Sequence, residues 1–147
     1  MVANGMPWDC HVLNHELYQM LVPELDRVIF HLLTDLEERG LLDSTLVIMM
    51  GEFGRTPWLN EARGRDHYPN AWSLALAGCG IRPGVVYGAT DPEGFSVSEN
   101  PVDQGRLFAT IFSALGIDPH QAYDLPEDFP EFHRVENQSE PVREILL

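Results

Sequence analysis

Three short segments carry the side chains best suited to chemistry: Asp9-Cys10-His11, Gly51-Glu52-Phe53-Gly54-Arg55-Thr56-Pro57 and Gly64-Arg65-Asp66-His67-Tyr68-Pro69. Asp9 and His11 stand two residues apart, so on an extended segment both point the same way and offer an oxygen and a nitrogen donor. Glu52 follows the apolar run of residues 45–50, and a carboxylate placed there must be solvated in a cleft, paired with an arginine or bound to a cation. His67 comes fifteen residues later, in a loop ahead of the next apolar stretch. A mixed imidazole and carboxylate shell suits zinc, manganese or iron better than calcium. Asp9, His11, Glu52 and His67 therefore form a candidate divalent-metal set. Each has a plainer alternative: a surface turn for Asp-x-His, an ion pair with Arg55 for Glu52, and a capping or packing role for His67. What favours the metal is that ligands on successive elements of an α/β sheet can converge at one edge.

Arg55, Arg63 and Arg65 crowd the loop between Glu52 and His67 in a chain whose net charge is −14, with 23 acids against 9 bases, all of them arginine. Such a cluster suits phosphate or sulfate, and equally suits surface ion pairs with carboxylates. The overall acidity argues against nucleic acid or an anionic membrane as partner, since both need an electropositive face. His15, His31, His120 and His133 read as bystanders, His15 being at most a spare ligand. Cys10 and Cys79 are too few for a disulfide framework or a CxxC-type zinc site. No apolar run approaches the roughly 20 residues of a membrane span, and residues 1–8 have neither the charged start nor the apolar centre of a signal peptide.

The elements that must position these side chains follow from periodicity. Leu17, Leu21, Leu25, Val28, Ile29, Leu32, Leu33 and Leu36 recur at helical spacing and predict a long amphipathic helix from about His15 to Arg39, started anew or kinked at Pro23 and ended by Gly40. Residues 41–44 lead into a buried, parallel strand at 45–50, which delivers Glu52 to the carboxyl edge of a sheet. Further strands are expected at 71–77 and 85–87, the latter opening a hairpin or edge excursion through residues 88–94. Leu107, Ile111, Phe112 and Leu115 predict a helix over 103–115. Residues 117–147, with eight acids against two arginines, read as an acidic wrapping tail. The whole makes a single α/β domain over residues 1–147. It lacks the strand expected before the long helix.

The quoted motifs, with Leu21-Val22-Pro23-Glu24-Leu25-Asp26, Asp35-Leu36-Glu37-Glu38-Arg39-Gly40-Leu41-Leu42-Asp43 and Tyr87-Gly88-Ala89-Thr90-Asp91, resemble the C-terminal part of the bacterial family called domain of unknown function 1501. That family resembles a branch of the alkaline phosphatase and sulfatase superfamily. The resemblance implies the C-terminal half of a doubly wound alkaline-phosphatase-like sheet, truncated, with one or two divalent metals at its edge. Zinc or manganese is implied first, calcium or magnesium less so. It implies Asp9, His11 and His67 as ligands, Glu52 where the superfamily has an aspartate ligand, and Arg55 and Arg65 near the substrate anion. The substrate class would be a phosphate or sulfate ester, small molecule or polysaccharide. The superfamily takes its nucleophile and first metal-binding aspartate from an N-terminal half with no counterpart here, so the catalytic residue is unknown. Intact relatives are expected to carry a twin-arginine signal and be exported to the periplasm. The rival expectation is a non-catalytic binding or structural protein that self-associates, or pairs with another chain, through its sheet edge.

Overall fold

Residues 46–78 fold back on themselves as two nested ribbons. The computed structural model describes residues 8–121, 123–124, 134–135 and 138–147, and in this arm places strands β1 (Leu46–Met49), β2 (Gly54–Arg55), β3 (His67–Tyr68) and β4 (Ala75–Gly78). The outer ribbon pairs β1 antiparallel with β4, from Leu46 opposite Gly78 to Met49 opposite Ala75. The inner ribbon pairs β2 antiparallel with β3, Gly54 opposite Tyr68 and Arg55 opposite His67. The expected buried parallel strand is thus corrected. A parallel return needs a crossover, usually a helix, and residues 50–74 hold none, so the chain comes straight back. Nor is β1 fully buried: Leu46 and Val47 are half-buried, Ile48 and Met49 exposed. The protein is mixed α/β, and its described strands form small antiparallel pairs.

Helix α1 (Asn14–Glu38) matches the periodic segment and runs through Pro23 without a break. Proline there cannot donate to the preceding turn; Arg27 Nε adds a side-chain donor to the Pro23 carbonyl at 3.3 Å. Gly40, at φ +64°, ends the helix with the paired bonds of a Schellman motif, Gly40 N–H to Glu37 O and Leu41 N–H to Leu36 O. Only Asn14 and Leu21 of this helix are buried, and Met20, Val28 and Phe30 are exposed. The helix therefore shows much of its apolar surface.

Strands β5 (Ala89–Thr90) and β6 (Val97–Glu99) pair as a hairpin whose turn is braced by the Asp91 carboxylate, which accepts from Phe95 N–H and Ser96 N–H. The strand expected at 85–87 is absent there, and Val86 is 93% exposed. Helix α2 (Gln104–Ala114) is capped by Asp103, whose side chain accepts from Arg106 N–H at 2.8 Å. Its buried residues are Ala109, Thr110 and Ala114 rather than the larger apolar stripe. The reason is the end of the chain: Val142, 1% exposed, lies against this face and its N–H donates to Thr110 Oγ1 at 2.9 Å. Leu147 N–H then donates to Gly80 O and Arg82 N–H to Ile145 O. The last residues of the expected wrapping tail are therefore a core element. Strands β7 (Tyr123–Asp124) and β8 (Arg134–Val135) pair antiparallel. Residues 1–7, His133 and the acids Glu127, Asp128, Glu131 and Glu136 lie outside the described residues.

Candidate metal centre

The segment preceding α1 is clasped against the loop that follows β2. Leu13 N–H donates to Ala62 O, Asn14 N–H to Arg63 O and Arg65 N–H to Cys10 O, all within 3.1 Å. Gly64 is required at this crossing, because a Cβ there would stand 1.9 Å from the His11 carbonyl. Leu13 and Arg63, at φ 46° and 60°, adopt left-handed backbone on the two sides of the clasp. Such conformations persist only where the surrounding structure over-determines them.

Within this frame three donor atoms meet. His67 Nε2 lies 2.9 Å from Asp9 Oδ1, His11 Nε2 lies 3.1 Å from the same oxygen, and the two imidazole nitrogens stand 3.2 Å apart. Asp9 and His11 arrive on the segment before α1, and His67 arrives on β3. The β2–β3 register sets Arg55 opposite His67, and the Arg55 guanidinium closes on the same Asp9 oxygen. Phe53 packs on the His67 ring with centroids 4.3 Å apart. Hydrogen bonding to His67, and then to Arg55, holds the Asp9 carboxyl at about 2, so it is anionic through the physiological range. All three side chains are between 42% and 52% exposed, which leaves the group open to solvent. The family profile for a protein of unknown function matches residues 1–146.

The chain belongs to the DUF1501 family. No curated protein and no solved structure matches it. Among the described residues of this DUF1501 chain, Asp9, His11 and His67 are the group of side chains spaced to share one metal ion. Glu52 is not brought to it. That residue is exposed in the bend between β1 and β2, and its suggested ion pair with Arg55 does not form because Arg55 has turned to Asp9. Arg65 donates instead to the Thr56 carbonyl, bracing the turn after β2, and Arg63 pairs with Glu16 on α1. His15 is exposed on α1, His31 packs edge-on against Phe30, and His120 faces Glu140.

Sequence reasoning passed over two residues of this neighbourhood. Asp66 Oδ1 lies 2.9 Å from His11 Nδ1, and Asn60 Nδ2 donates both to Asp66 Oδ1 and to the His11 carbonyl. Hydrogen bonds from His11 and then Asn60 pull the Asp66 carboxyl below its ordinary value. Asp66 stood inside a motif already quoted, directly before His67; Asn60 had no such signal. No described helix is long and apolar enough to cross a membrane.

Proposed function

We propose that this DUF1501 chain holds a divalent metal through Asp9, His11 and His67 and serves as the metal-binding portion of a hydrolase of phosphate or sulfate esters, within an alkaline-phosphatase-like fold. The observation that carries the reading is the triangle of donor atoms, with edges of 2.9, 3.1 and 3.2 Å. Ligands about 2.1 Å from a metal are separated by roughly 3.0 Å in an octahedral shell and roughly 3.4 Å in a tetrahedral one. One face of either polyhedron fits. Two imidazoles and a carboxylate suit zinc, manganese or iron(II), and leave positions for water or substrate.

A bound metal would supply Lewis acidity and neutralise charge on the transferring group. Arg55, 18% exposed, already gives Nη2 to Asp9 and Nη1 to the Arg65 carbonyl, so its remaining N–H groups would be the ones to meet the equatorial oxygens of a phosphate or sulfate. Arg65, committed to the Thr56 carbonyl, positions that turn rather than the anion. No nucleophile is assigned among the residues gathered here: Thr56 is buried with its hydroxyl donated to Trp58 O, and Cys10 is buried with its thiol pushed up by desolvation. The purified chain is therefore expected to bind zinc or manganese and to turn over aryl phosphates or sulfates little or not at all. Metal content after equilibrium dialysis decides the first point. The reading fails if wild type, Asp9→Ala and His67→Ala retain equal metal; Glu52→Ala is expected to match wild type.

A second reading has its own support in the outer ribbon. Its Ile48 and Met49 and the following Met50 are 37%, 42% and 51% exposed, and an unpartnered strand edge invites pairing with another chain. Light scattering across a concentration series tests whether the chain associates through this edge, and a monomer throughout would count against it.

A further inference from the structure

His11 presents two nitrogens to two different carboxylates. Nε2 is 3.1 Å from Asp9 Oδ1, and Nδ1 is 2.9 Å from Asp66 Oδ1. A neutral imidazole carries a single proton, so only one of these contacts can be a donated hydrogen bond. The surroundings of Asp66 decide which. Asn60 Nδ2 donates to Asp66 Oδ1 at 3.0 Å and to the His11 carbonyl at 3.1 Å. Asn60 Oδ1 accepts from Ala62 N–H and Gly64 N–H at 3.0 and 2.9 Å, so the amide is pinned at both ends and the loop winds around it. Asp66 N–H is itself tied to Thr56 Oγ1. The carboxylate is thus fixed in place and aimed at Nδ1. Asp9, by contrast, already accepts from Arg55 and faces His67 as well.

We infer that Asp66 is a positioning residue, clamped by Asn60, that holds His11 as the Nδ1–H tautomer and turns the Nε2 lone pair toward Asp9 and His67. In this state Nε2 and Asp9 Oδ1 are both acceptors, 3.1 Å apart, and a shared cation relieves their opposition. A carboxylate on the far nitrogen of a ligating histidine raises ligand basicity and orients the ring. Asp66 would do this for His11, and the inference about metal affinity rests on the metal reading above; the tautomer itself does not.

The test has one arm for each. In the metal-free protein under mildly alkaline conditions, nitrogen-15 correlation spectra should show His11 protonated at Nδ1 and bare at Nε2; a proton on Nε2 instead overturns the assignment without any variant. Asp66→Asn keeps the side-chain shape but removes the anionic acceptor, so it should weaken the hold on Nδ1–H and shift the His11 proton toward Nε2, beside the Asp9 carboxylate. Zinc or manganese affinity, measured by chelator competition, should fall about ten- to a hundredfold in Asp66→Asn. Glu61→Gln removes the same charge from the same loop without touching His11, and should leave both readouts at wild-type values. Equal affinity and an unchanged tautomer in Asp66→Asn would refute the inference. A wild type that takes up no metal but keeps the Nδ1–H tautomer would refute the metal reading and leave the positioning of His11 standing.

Discussion

The outer and inner ribbons of residues 46–78 are made of opposite materials. The outer one pairs four residues of β1 with four of β4, all of them apolar or glycine, and exposes Ile48 and Met49. The inner one pairs only two with two, yet its surroundings carry a dense polar lattice: Asp9, Arg55, His67, His11, Asp66 and Asn60 joined in series. Ladder length alone would make the outer ribbon the rigid one. The inner ribbon, however, is also clasped by the segment before α1, across a contact that tolerates no Cβ at Gly64, while Ile48 and Met49 of the outer ribbon meet solvent. The candidate donor atoms are positioned by short, cross-linked polar structure, and the longer apolar pairing is left as surface.

The most disruptive way to break this contrast is Gly64→Ala. A methyl 1.9 Å from the His11 carbonyl forces the clasp apart, and overpacking of this kind costs on the order of 3 kcal/mol. Denaturant unfolding should show that loss together with loss of metal uptake. Gly40→Ala is the contrasting control, since nothing lies within 4 Å of a Cβ there and its cost comes from the positive φ alone; about 1 kcal/mol is expected, with metal uptake intact.

Arg55→Gln sharpens the comparison further. Arg55 and a metal both draw on Asp9 Oδ1, so removing the guanidinium should tighten metal binding by a few-fold, within about 1 kcal/mol. The same variant should weaken phosphate or sulfate binding to the metal-loaded protein. Calorimetric titration of each ligand would show the opposed changes.

Acid titration separates the ribbons by another route. The Asp9 carboxyl is lowered from 3.8 to about 2, so without metal its contribution to stability is present in full above 3.8 and lost as pH falls through about 2. Asp9→Asn should flatten that part of the acid-unfolding curve. The smallest effect is expected on the outer ribbon: Met49→Gln, at a 42% exposed position, should change stability by no more than about 0.5 kcal/mol. It should also reduce any association seen by light scattering.

Much of this arrangement was legible in the chain, for identifiable reasons. The helices announced themselves by periodicity and by punctuation, Gly40 and Gly116 each ending a helix with left-handed backbone. The meeting of Asp9, His11 and His67 was legible because few residue types carry metal-donor atoms and these stand in compact motifs. Pairing direction was not, since a run of apolar residues marks a strand without naming its partner. Glu52 was over-read for the same cause: a carboxylate at the end of a parallel strand faces a ligand cleft, but at the bend of an antiparallel arm it faces water. Val142 went unnoticed because acids and prolines surround it, although its burial against Thr110 depends on shape that composition does not encode.

Cys10 gives the clasp a chemical voice. It stands between Asp9 and His11, is 1% exposed, and its thiol is pushed up by burial, so an alkylating reagent reaches it only when that stretch lifts away from residues 60–65. Its labelling rate is then a clock for local opening, with the less buried Cys79 as internal reference, and an ion gripping the neighbours on either side would slow it.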